Sequence, residues 1–97
     1  MFYANKTHSG QYKRYGDSYF EWDVRSDESV TREEAIKWCM DSLLGGRQLP
    51  EYAEWSKNIR MGGEKQYDMG YYFAGYYTMK EWEGGDFHFT VCYPYCD

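Results

Sequence analysis

Residues 76–93, YYTMKEWEGGDFHFTVCY, constrain the fold most, because two aromatic-rich runs flank Glu83-Gly84-Gly85-Asp86. Adjacent glycines accept positive φ, so the segment predicts a β-hairpin with a two-residue turn. If Glu83 faces Asp86, then Trp82 pairs with Phe87, Lys80 with Phe89, Thr78 with Val91 and Tyr76 with Tyr93, all on a buried face. The opposite face then shows Glu81 beside His88, Met79 beside Thr90 and Tyr77 beside Cys92, with a cross-strand ion pair at Glu81 and His88. Pro94 lacks a backbone donor and ends the pairing.

A second strand is read at residues 19–25, where Phe20, Trp22 and Val24 alternate with Tyr19, Glu21, Asp23 and Arg25. Residues 1–7 suit a short strand, and the polar, glycine-containing residues 8–18 read as a loop or hairpin turn. Between the strand pairs lies a helix over 31–44. Thr31 caps it and Glu34 completes a capping box, Val30 and Ala35 form a hydrophobic staple, and Ile36, Cys39, Met40, Leu43 and Leu44 make one apolar stripe. Gly45-Gly46 stops it. Trp38 lies about 200° round the axis from Ile36, facing a loop or solvent. A short second helix is expected over 50–60, with Pro50 at its start and Tyr52, Trp55 and Ile59 on one face. Gly62-Gly63 closes it, and residues 64–70 are a polar loop.

The order β, β, α, short α, β, β with no internal repeat predicts an α+β fold. About four antiparallel strands form the sheet, with the main helix across one face. At 97 residues the chain is one domain, 1–97. Its core must be aromatic: leucine, isoleucine and valine total 8, whereas tyrosine, phenylalanine and tryptophan total 21. Twelve tyrosines exceed what a small core can hold with every hydroxyl satisfied, so several should stand half exposed.

The chemistry-bearing inventory is thin. The only histidines are His8, in the expected loop, and His88, in a strand. His88 and Cys92 share a strand face about 13 Å apart at the rise of a strand, too far for a nucleophile and its base. Cys96 lies beyond Pro94. Three cysteines make neither a disulfide scaffold nor a four-ligand zinc site, and the strand reading separates Cys92, Cys96 and His88. Neither a Walker loop nor GxGxxG occurs. No enzyme, metal or cofactor is expected. No run approaches the roughly 18 apolar residues of a membrane span, and no apolar leader is evident, so a soluble, cytoplasmic chain is expected.

Charge is more informative. The net charge of −5 is uneven: residues 1–20 carry +2, 21–34 carry −4, 35–60 carry +1 and 61–97 carry −4. The acidic block Glu21, Asp23, Asp27, Glu28, Glu33 and Glu34 has a structural reading, since carboxylates favour a helix N-terminus by about 0.3–1 kcal/mol each. Its functional reading is a surface aimed at a basic groove, with Tyr19, Trp38 and Tyr77 adding contact area. The expected function is non-enzymatic macromolecule binding. In its most concrete form this is a small acidic inhibitor seated in the nucleic-acid site of a restriction- or CRISPR-type enzyme. The composition is similar to that of short phage and mobile-element proteins, a likeness that carries no residues across. The partner is thus a protein with a basic surface. Single-stranded nucleic acid or a small ligand on an aromatic sheet face is the alternative, with charge opposing nucleic acid. A free strand edge would also suit a homodimer.

Overall fold

A computed structural model describes residues 1–11, 18–60, 75–83 and 85–93. The elements are β1 (Phe2–Gln11), β2 (Ser18–Ser26), α1 (Arg32–Ser42), α2 (Tyr52–Arg60), β3 (Tyr76–Trp82) and β4 (Asp86–Tyr93). The four strands form one antiparallel sheet in the order β1-β2-β4-β3, the expected α+β architecture. Two hairpins therefore meet along a β2–β4 seam, with Trp22 opposite Phe89 and Val24 opposite Phe87.

One face of the sheet carries the core. Phe87, Phe89, Val91, Val24 and Trp22 meet Ala35, Cys39 and Met40 of α1, with Met79 and Leu49 at the margin. The helix forms where the capping box places it: Thr31 Oγ1 accepts from the Glu34 amide at 3.1 Å, and Glu34 Oε1 accepts from the Thr31 amide at 3.2 Å. Its C-terminus is closed by Gly45 and Gly46, both at positive φ, with the Gly46 amide donating to the Met40 carbonyl. Cys39 and Met40 of the apolar stripe are buried, and Ile36, Leu43 and Leu44 are half-buried against the same core. Ala35 is fully buried, so helix and sheet approach closely.

Two expectations are corrected. The polar stretch from His8 is not loop at its start, because β1 runs on to Gln11, paired with β2 through a register shift between Lys6 and His8. The partner strand supplies its hydrogen bonds, and a strand at the sheet edge needs no apolar alternation. The β3–β4 register also differs by one residue. Trp82 faces Asp86, Lys80 faces His88 and Met79 faces Phe89, which leaves three residues in the loop. A one-residue slip exchanges the faces of a strand. It places Met79 and Tyr77 on the core side and sends Lys80 to solvent, avoiding burial of an ammonium. Gly85, at φ 81°, closes the loop. Gly62-Gly63, residues 64–70, Pro94 and Cys96 lie outside the described residues.

The outer edge of β3 is partly covered. The Tyr77 amide donates to the Pro50 carbonyl at 3.0 Å, and Glu51 forms an isolated parallel bridge with Tyr77. Arg32 of α1 pairs with Glu51 and donates to the Met79 carbonyl at 3.2 Å, tying helix, connection and strand together. α2 then packs Tyr52 and Trp55 on Tyr76. No described helix is long and apolar enough to cross a membrane.

Candidate functional site

The face of the sheet opposite α1 is a polar and aromatic surface whose layout follows from the registers. Across the four strands, Tyr3, Arg25, Asp86 and Trp82 form one row, and Asn5, Asp23, His88 and Lys80 the next. His8, Glu21, Thr90 and Thr78 form a third. Cross-strand neighbours lie within side-chain reach, so each row is a set of interacting groups.

His88 lies at the middle. Its Nδ1 is 2.9 Å from Asp23 Oδ1 and its Nε2 is 3.0 Å from Glu21 Oε1, so both ring nitrogens face carboxylates. The hydrogen bond to Glu21, reinforced by that to Asp23, raises the His88 pKa above its ordinary 6.5 against the opposing effect of burial. In return the imidazole, together with the Tyr19 hydroxyl at 2.5 Å, holds the Glu21 carboxyl below its ordinary 4.5. The structure thus replaces the expected Glu81–His88 pair: Glu81 lies opposite Phe87, and the partners of His88 come from β2.

The first row bounds a groove of about 470 Å³, walled by Tyr3, Asn5, Asp23, Arg25, Trp82 and Asp86. Tyr3 and Trp82 are 51% and 50% exposed, so the groove offers two large rings to solvent. Arg25 Nε donates to Asp86 Oδ1 at 2.9 Å, and the Lys80 ammonium sits 4.2 Å from the Trp82 ring centroid. Charges alternate here, and the Arg25–Asp86 pair is too exposed to add much to stability.

The acidic block does not gather on one surface. Glu21 and Asp23 lie on the open face against His88. Asp27 accepts from the Met1 ammonium at 2.7 Å and from the Tyr3 hydroxyl at 3.4 Å, placing it beside the groove. The ammonium contact holds the Asp27 carboxyl below its ordinary value. Glu34 serves the α1 cap, while Glu28 and Glu33 are exposed near it. Among the aromatic candidates, Tyr19 is on the open face, donating to Glu21. Trp38 stacks on Phe2 with centroids 5.0 Å apart. Tyr77, expected opposite Cys92 on the open face, is instead half-buried against Phe89 on the core side. Burial and Glu51 push its hydroxyl pKa up.

The sequence reading missed Tyr3, Arg25, Trp82 and Asp86 as a group. The period-two alternation already put Arg25 on the solvent side, but Trp82 reaches solvent only through the three-residue loop. Cys39 is buried, and desolvation pushes its thiol up to about 12, the chemistry of an inert side chain. Among the described residues, no three His, Cys, Asp or Glu side chains are arranged to hold a metal ion. The fold and face together define a small α+β domain with α1 across one sheet face and the other face open except at its Tyr76 end, where α2 packs and Cys92 is buried. No family model matches the chain, and no curated protein or solved structure is significantly similar to it.

Proposed function

We propose that this chain is a non-enzymatic binding domain that engages a basic surface of a protein partner through the open sheet face, most concretely the nucleic-acid site of an enzyme. The observation that carries the reading is the groove walled by the exposed rings of Tyr3 and Trp82 and by the carboxylates of Asp23 and Asp86. A partner's arginine can lie on such a ring while its charge meets a carboxylate. Asp27, in contact with the Tyr3 hydroxyl, extends the acidic character towards Glu28 and Glu33. Both nitrogens of His88, the imidazole at the middle of this face, already face carboxylates, which favours binding over catalysis there.

A second reading has its own observation. Arg25 and Lys80 beside exposed aromatic rings are also what a stacked single-stranded nucleic acid uses. Titration of the protein with a nonaarginine peptide and, separately, with a single-stranded oligonucleotide, followed by tryptophan fluorescence, distinguishes the two. The expected result is salt-sensitive binding of the peptide, weakened about tenfold or more by Tyr3→Ala and by Trp82→Ala, a loss of about 1.4 kcal/mol. Binding of the oligonucleotide and not the peptide would transfer the groove to the second reading. Binding of neither overturns both.

A further inference from the structure

The arrangement around His88 goes beyond a partner site and stands whether or not the groove binds anything. A neutral imidazole donates one N–H and presents one lone pair, whereas an imidazolium donates two. With carboxylate oxygens 2.9 Å from Nδ1 and 3.0 Å from Nε2, only the imidazolium satisfies both contacts, because a bare ring nitrogen would face a carboxylate lone pair. The two acids belong to β2 and the histidine to β4, so the pair of bonds crosses the seam between the hairpins.

We propose that His88 is a proton-operated latch on the open sheet face, which ties β2 to β4 through Glu21 and Asp23 when protonated and lets go of Asp23 when a single proton leaves.

Asp23 is the arm that opens. Its side chain is 64% exposed and water can replace the lost bond, whereas Glu21 is 25% exposed and is also held by the Tyr19 hydroxyl. The other groups facing the imidazole do not supply an alternative partner. Lys80 of β3, its register neighbour, has its ammonium drawn over Trp82. Asp86 on the same strand is paired with Arg25, and Thr90 is uncharged. His8 of β1 packs its ring, tilted, against Tyr19 beside Glu21. α1 packs on the other face.

The sign follows from linkage. The folded His88 pKa lies above its ordinary 6.5, so the latch contributes in full below pH 6.5 and is lost as pH rises through the folded value. Glu21, held below its ordinary 4.5, sets the other limit: its contribution is present above 4.5 and fades as pH falls through its folded value. The latch therefore contributes in full between about pH 4.5 and 6.5, stays closed up to the folded His88 value above 6.5, and opens on the alkaline side by deprotonation of one ring.

An NMR titration of the His88 ring nitrogens in the full chain tests this, in the wild type and in Glu21→Gln and Asp23→Asn, with thermal melts across the same pH range. The expected result is a wild-type imidazolium with two N–H groups that persists above pH 6.5 and gives way to a single tautomer. Each variant shifts the titration downwards. The melting temperature of the wild type falls through the His88 titration, and that of His88→Gln does not. A wild-type His88 that titrates at or below 6.5 overturns the latch, as does a titration unmoved by both substitutions. Should the variants fail to fold, the wild-type titration and tautomer decide the matter alone.

Discussion

Gly75 carries a stricter requirement than its exposed counterparts in turns. It adopts φ 143°, and a Cβ built there would lie 2.6 Å from the Cys92 carbonyl oxygen and 2.9 Å from the Tyr93 ring. Gly45, at φ 63°, meets nothing within 4 Å. Gly45→Ala should therefore cost only the left-handed preference, about 1–2 kcal/mol. Gly75→Ala adds a backbone collision at the start of β3, and urea denaturation should show it to be the more damaging by about 1 kcal/mol or more. Equal losses would mean that β3 shifts freely to admit the methyl group. Residues of this kind are silent in a sequence, because the need for glycine comes from a strand that lies beside it only after folding. Cys39 and Met40 were legible because their helical spacing names the buried face directly. Trp38 was half legible: its position off the stripe was evident, but its stacking on Phe2 needed the location of β1.

At the scale of elements, what could be read locally was read well. The capping box of α1 is a contact between residues three apart, and Thr31 and Glu34 form it as the spacing demands. Thr31→Ala removes the acceptor for the Glu34 amide and should lower stability by about 1 kcal/mol in urea denaturation, with Thr31→Ser close to wild type. A loss confined to a few tenths would show that α1 is held by its packing on the sheet and not by its cap. The β3–β4 hairpin was legible as a hairpin and illegible in register, since Gly84-Gly85 permits loops of two or three residues. The choice is made by the residues farther along, where Met79 and Lys80 compete for the core side and the thioether wins. That choice moved Tyr77 inward and brought Trp82 opposite Asp86 on the open face, so one undecided residue in a turn decided the membership of the groove.

Across the whole molecule, the acidic block was a poor guide to a surface, because β2 holds Glu21 and Asp23 on the open face while the turn into α1 carries Glu33 and Glu34 away to the helix. The groove draws instead on all four strands, and no single segment of sequence could announce it. The same seam that assembles the groove also joins the halves of the core. Phe89 is fully buried there, with its ring 5.8 Å from those of both Trp22 and Tyr77, and so links β2, β3 and β4. Since α1 packs on this one cluster and each hairpin contributes to it, neither hairpin retains a core of its own when the seam parts. Unfolding should therefore be one cooperative transition, with far-UV circular dichroism and tryptophan fluorescence superimposing in urea. Phe89→Ala should reduce stability by about 3–5 kcal/mol and move both signals together. Phe89→Leu, a smaller loss of volume, keeps the test available if the alanine variant does not fold. Fluorescence that changes before the dichroism would mean that the aromatic seam opens while secondary structure persists, and two separated transitions would divide the 97 residues into units that fold independently.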